Sequence, residues 1–93
     1  MVNGNGYEVS EEWHYTDALE NRLSVSVQQA DEALGAIHYA LSLNPLAFDV
    51  VYQEDIRVAH LQERTLDGLP AFRIFFRVNE SSRRVYLLFV DHG

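Results

Sequence analysis

The most constraining stretch of the chain is its last third, Leu66 to His92, LDGLPAFRIFFRVNESSRRVYLLFVDH. Two apolar runs alternate with a period of two and are separated by the polar tetrapeptide Asn79-Glu80-Ser81-Ser82. A period of two places successive side chains on opposite sheet faces, so this pattern predicts a hairpin of adjacent antiparallel strands. Phe72, Ile74, Phe76 and Val78 fall on one face; Arg73, Phe75 and Arg77 fall on the other. If Asn79 to Ser82 is the turn, Arg77 faces Arg84, Phe75 faces Tyr86 and Arg73 faces Leu88. Val85, Leu87 and Phe89 then join the aromatic face, and Arg84, Tyr86 and the terminal His92 join the arginine face. The assignment depends on that turn, because a slip of one residue exchanges the two faces of a strand.

The preceding sequence reads as support for this sheet. Val27, Ala30, Leu34, Ile37 and Leu41 recur at three- and four-residue spacing, which predicts one amphipathic helix over 27–43. Ser26 with Gln29 suits a capping box, and Asn44-Pro45 is a stop because proline steers the residue before it out of helical geometry. Gly35, inside that helix, suggests close packing on the sheet. Trp13 and Tyr15 share a parity that suits a short first strand around 12–15, and Asp17 to Leu23 suits a brief helix. LSVSV, residues 23–27, reads equally as strand.

Leu46 to Val51 suggests a short helical turn and then a loop. Ile56 to Arg64 is a further strand candidate, and Asp67-Gly68 is a hairpin signal followed by Pro70. A tight turn there adds His60, opposite Phe75, and Arg64 to the arginine face. The order strand, one or two helices, three antiparallel strands describes a small α+β domain, with a mixed-edge sheet covered by helix on one face. Residues 1–93 form a single domain, and Met1 to Gly6 reads as a frayed end.

Charge is distributed unevenly. Residues 1–55 carry ten acids against Arg22 alone; residues 56–93 carry six arginines against Glu63, Asp67, Glu80 and Asp91. Lysine and cysteine are both absent, and the net charge is −7. That charge opposes non-specific attraction to a polyanion, although an arginine cluster can still clamp a phosphate bidentately. The lack of cysteine removes thiolate chemistry and cysteine-held zinc. His60 with Glu63, or Asp91 with His92, fall short of a metal-ligand set, and no phosphate-binding glycine loop is present. No metal or other cofactor is therefore expected. The N-terminal residues lack a signal-peptide pattern and no run is long enough to span a bilayer, so a cytoplasmic protein without a membrane partner is expected.

On the open face Arg73, Arg77, Arg84, Tyr86 and His92 suit metal-free RNA cleavage. Arginine stabilises charge on a reacting phosphate, histidine protonates the leaving oxygen, tyrosine stacks on a base, and the RNA supplies its own 2′-hydroxyl nucleophile. The same residues also suit a protein-binding surface or an ordinary solvated sheet face.

The chain also resembles the RelE/ParE superfamily of bacterial toxins. The resemblance rests on WHYTDALE (13–20), on the helix ending LSLNP before RVAHLQERTLDGLPAFRI, and on the terminal pair of strands with its charged end. It implies a toxin neutralised by a cognate antitoxin, acting as a ribosome-dependent messenger-RNA endonuclease. The alternatives are a gyrase-directed inhibitor and a non-catalytic binding module of the same fold. By resemblance Arg73 matches the arginine of the penultimate strand in RNA-cleaving members, and His92 the residue just after the last strand. Arg84 and Tyr86 join them as catalytic candidates, with Arg77, Arg64 and His60 as binding candidates. The expectation is growth arrest on expression, relieved by Arg73→Ala and by His92→Ala.

Overall fold

The computed structural model describes residues 6–21, 27–52, 55–63 and 71–92. In chain order it contains strand β1 (Glu8–Glu11), helices α1 (Trp13–Asn21) and α2 (Val27–Leu43), a 3-10 turn (Pro45–Ala47), and strands β2 (Val50–Tyr52), β3 (Ile56–Leu61), β4 (Phe72–Asn79) and β5 (Arg84–His92). The five strands form one sheet in the order β1-β5-β4-β3-β2. All neighbours are antiparallel except β1, which runs parallel to β5 along the sheet edge. The α+β class and the mixed edge are as the sequence predicts.

α2 coincides with the predicted helix, because its apolar spacing and the Asn44-Pro45 stop are both strong local signals. The first strand is displaced. Tyr15 and Thr16 donate their backbone N–H groups to the Glu12 carbonyl, starting α1, and the Glu12 N–H bonds to the Leu87 carbonyl, ending β1. Within α1, Tyr15 and Ala18 are fully buried and Trp13 is exposed. That is a helical spacing, which three residues of alternation cannot distinguish from a strand. Gly6, placed at the frayed end by the sequence, is buried, and Tyr7 donates its N–H to the Ser42 carbonyl at 2.7 Å. Residues 1–5, the capping box at Ser26, most of LSVSV and the Asp67-Gly68 turn lie outside the described residues.

The helices cover one sheet face. Tyr15 and Ala18 of α1 and Leu34 and Leu41 of α2 meet Ala59, Phe72, Ile74, Phe76, Val85, Leu87 and Val90 in the core. Phe48 closes one end, packing edge-on against Phe76 with ring centroids 5.7 Å apart. Arg57 ties the preceding loop to β3: its Nη1 donates to the carbonyls of Phe48 at 2.6 Å and Leu46 at 3.3 Å. His38 connects the helices to the edge strand. It sits 3.4 Å from the buried Tyr15 hydroxyl and 3.8 Å from Glu11, joining α2 to α1 and β1. No described helix is long and apolar enough to cross a membrane.

Gly35 is not a close-packing residue. A methyl group at its Cα would meet nothing within 4 Å, so the residue only adds backbone freedom to the unfolded chain. Gly35→Ala should stabilise the protein by about 1 kcal/mol, measured as a raised denaturation midpoint at unchanged slope. An unchanged or lowered midpoint would contradict the open surroundings of this position.

The terminal hairpin holds the main departure from the predicted register. Asn79 remains paired, opposite Arg84, and the turn moves on to Glu80–Arg83. The Asn79 side chain supports this: its Oδ1 accepts the N–H of Ser82, three residues on, at 3.1 Å, which holds Asn79 at the strand end. Arg83 closes the turn at φ 53°, a conformation costly for a side chain with a Cβ, while its guanidinium lies 5.3 Å from the Tyr7 ring centroid. Arg77 consequently pairs with Tyr86 instead of Arg84, a two-residue difference that preserves parity.

Farther along, a β-bulge changes the parity. Phe76 pairs with Leu87 but Phe75 pairs with Phe89, leaving Leu88 as the extra residue of β5. Beyond it Arg73 pairs with Asp91, and Phe72 with His92. An inserted residue rotates everything after it by one face. Val90 therefore replaces Phe89 in the inner set, Phe89 and Asp91 turn to the open face, and His92 turns away from it.

Candidate functional site

The open face is assembled from alternate residues of four strands. β4 contributes Arg73, Phe75 and Arg77; β3 contributes Ile56, Val58 and His60 opposite them; β5 contributes Arg84, Tyr86, Phe89 and Asp91; and β1 contributes Glu8 and Ser10 beside Arg84 and Tyr86. Of the residues singled out in the sequence, Arg73, Arg77, Arg84, Tyr86 and His60 share this face. Arg64 lies outside the described residues.

His92 does not join them. It is the partner of Phe72, whose side chain is fully buried on the helix-covered face, and the two rings stack with centroids 6.1 Å apart. The bulge at Leu88 is the reason, and simple alternation along β5 cannot anticipate it. His60 is opposite Arg73 rather than Phe75. Ile56 and Val58 do share its face, a position for apolar residues made tolerable by Phe75, the cross-strand partner of Val58.

Two of the arginines are engaged by carboxylates. Arg73 forms a bidentate pair with Asp91, Nε to Oδ1 at 2.9 Å and Nη2 to Oδ2 at 2.7 Å. These side chains are 43% and 33% exposed, so the pair lies partly in solvent and its charges remain reachable by a ligand. Arg84 reaches back to β1, with Nη2 on Glu8 Oε2 at 3.2 Å and Nη1 on Ser10 Oγ at 3.3 Å. Its contact joins the parallel edge strand to β5, through side chains 38% and 58% exposed. Arg77 is exposed, and Tyr86 is its half-buried cross-strand partner.

The arrangement therefore has a centre that sequence reasoning missed. His60, Arg73 and Asp91 are directly paired neighbours on β3, β4 and β5, forming one row across the open face. Adjacent strands lie about 4.8 Å apart, which places the His60 and Asp91 backbones about 10 Å from each other on either side of Arg73. An imidazole and a carboxylate flanking a guanidinium comprise a proton donor, a proton acceptor and an anion clamp. Asp91 was visible in the sequence only as a charge beside His92; the bulge that brings it into the row leaves no simple sequence signal.

One hollow borders this row, and a second adjoins the first. The first is apolar, lined by Ile56, Phe75, Leu88 and Phe89 with the Arg73–Asp91 pair at its rim. The other is a polar groove containing Arg77, Tyr86, Glu12 and Glu80, and Leu88 borders both.

No family model matches the chain, and no curated protein sequence does. Solved structures do match. A chain of the RelBE2 toxin–antitoxin complex from Mycobacterium tuberculosis is similar over 95% of this chain and 99% of that one, with a TM-score of 0.69 and 20% identity. An arginine-substituted mutant of the E. coli toxin RelE in the free state is similar over 94% of this chain and 83% of that one, with a TM-score of 0.69 and 13% identity. The chain thus has the RelE fold along nearly its whole length, and at these identities the likeness is one of fold.

Proposed function

We propose that this chain is a cytoplasmic RelE-type toxin that cuts RNA without a metal ion and is held in check by a cognate antitoxin. The observation that carries the cutting activity is the row His60–Arg73–Asp91 across three adjacent strands. The toxin role is supported by the fold, since its solved neighbours are a toxin and a toxin–antitoxin complex.

In this reading the guanidinium of Arg73 holds the non-bridging oxygens of the scissile phosphate and balances the charge that grows on them. The Asp91 carboxylate accepts the proton of the 2′-hydroxyl as that oxygen attacks phosphorus. The His60 imidazolium donates a proton to the departing 5′-oxygen. The P–O5′ bond breaks as the 2′-O–P bond forms, leaving a 2′,3′-cyclic phosphate and a 5′-hydroxyl. Arg73 must exchange part of its contact with Asp91 for the phosphate, and the partial exposure of the pair permits that exchange. The net charge of −7 restricts binding to RNA presented at high local concentration, which fits a substrate held on the ribosome.

A second reading is favoured by the carboxylates themselves. With Arg73 on Asp91 and Arg84 on Glu8, the face is close to electroneutral, as suits a protein target such as a gyrase-type enzyme.

Induced expression separates the readings. The wild-type chain should arrest growth, His60→Ala and Asp91→Asn should each relieve the arrest, and His92→Ala should retain it because His92 lies on the other face. Arrest that survives both row substitutions would point to the protein-binding reading. An inert wild-type chain in several bacterial hosts would sink the toxin role altogether.

A further inference from the structure

Phe75 and Phe89 are cross-strand partners, both half-buried, on a sheet face that also carries arginines with their carboxylate partners, a tyrosine and a histidine. Phe89 lines the open-face hollow although part of it packs against the core. It does so because Leu88 is inserted into β5, and the same insertion turns Asp91 toward Arg73. One backbone irregularity therefore creates both the apolar hollow and the charged pair at its rim. The Arg73 guanidinium lies 5.5 Å from the Phe75 ring centroid, so the phosphate clamp and the aromatic surface are parts of one contiguous surface.

We propose that this hollow seats a nucleobase of single-stranded RNA, that of a nucleotide flanking the phosphate held by Arg73. The polymer's identity rests on the endonuclease reading; the seat itself rests on the hollow. Nucleobases are flat, apolar on their faces and attached to a charged backbone, and the site offers the complementary set. Phe75 and Phe89 provide the aromatic surface, Ile56 and Leu88 the apolar wall, and Arg73 the charge at the rim.

An apolar protein side chain could fill the hollow, but it carries nothing to exchange for Asp91 on Arg73 at the rim, as a phosphate does. Leu88 leads from this hollow into the groove of Arg77 and Tyr86. A strand leaving the first seat therefore meets a second aromatic ring and an exposed guanidinium, with Glu12 and Glu80 beside them. Alternating rings and cations are the pattern by which proteins track single strands, with stacking that tolerates any base.

The test measures binding apart from cleavage. A fluorescein-labelled oligoribonucleotide methylated at every 2′-oxygen cannot supply the nucleophile, and its anisotropy reports its affinity for the full chain. Phe89→Leu keeps an apolar side chain and removes the ring; its folding is checked by circular dichroism and thermal melting. Binding should weaken about tenfold, while Trp13→Leu, at an exposed aromatic on α1, should leave it unchanged.

An abasic nucleotide walked along the oligonucleotide should reproduce the tenfold loss at one position, and at that position cost Phe89→Leu nothing further. Unchanged affinity in folded Phe89→Leu, additive losses at every abasic position, or no binding by the wild-type chain would overturn the proposal. RNA that binds in this pattern while induced cells show no cleavage of ribosome-bound RNA would contradict the endonuclease reading alone.

Discussion

Arg73→Ala should abolish RNA cleavage in cells, lowering it by about 10²- to 10³-fold, the usual effect of removing one preorganised donor from a developing oxyanion. The reason is the position of the side chain at the middle of a three-strand row, where its charge faces both the carboxylate of Asp91 and the space a phosphate would occupy. Arg73→Lys should rescue only a small part of the activity, because an ammonium cannot reproduce the bidentate fork measured against Asp91 at 2.9 and 2.7 Å. The cost to folding should be small by comparison. Pairs exposed to this degree are worth roughly 0–1 kcal/mol, so both variants should melt close to the wild-type protein. Cleavage is measured by primer extension on total RNA after a short induction. Wild-type cleavage patterns in Arg73→Ala would remove the row from the mechanism.

The second large effect concerns stability and tests the face assignment directly. Phe76 is fully buried between the helices and the sheet, while its neighbour Phe75 is half-buried on the open face. Phe76→Ala should cost about 3–5 kcal/mol, the range for emptying a large aromatic from a packed core. A domain of this size is stable by only about 5–10 kcal/mol, so the variant should be partly unfolded at physiological temperature. Phe75→Ala should cost on the order of 1 kcal/mol, because much of its ring already meets water. Urea denaturation of the two variants checks this. Equal losses would mean that the faces are assigned wrongly, and with them the whole candidate site.

What could be read from the sequence divides along physical lines. α2, β4 and the inner aromatic face were legible because each repeats a strong periodic signal several times and ends at a stop such as Asn44-Pro45. Arg73 was legible because it lies in the middle of an unbroken alternation. The first strand was misplaced because Trp13 and Tyr15 are too few to separate a period of two from a helical turn. The turn falls one residue later than the sequence predicts because Asn79, a turn-forming residue, is kept in the strand by its own side chain.

His92 and Asp91 exchanged roles for a different reason. The bulge at Leu88 is a backbone event within a run of apolar residues, VYLLFV, whose composition reads the same with or without an inserted residue. It nonetheless determines which titratable group enters the site. Arg84 has the type and parity of a catalytic residue, yet its partners are on β1. That distinction depends on contacts 74 and 76 residues apart in the chain.

The most direct test of the central claim is the chemistry of the RNA ends produced on induction of the wild-type chain and of Asp91→Asn. An asparagine keeps the size of the aspartate and cannot accept the 2′-hydroxyl proton as a base. The wild-type chain is predicted to yield fragments ending in 2′,3′-cyclic phosphate, each followed by a fragment beginning with 5′-hydroxyl, and Asp91→Asn to yield neither. Fragments ending in 3′-hydroxyl, or cyclic-phosphate ends undiminished in Asp91→Asn, would contradict the account.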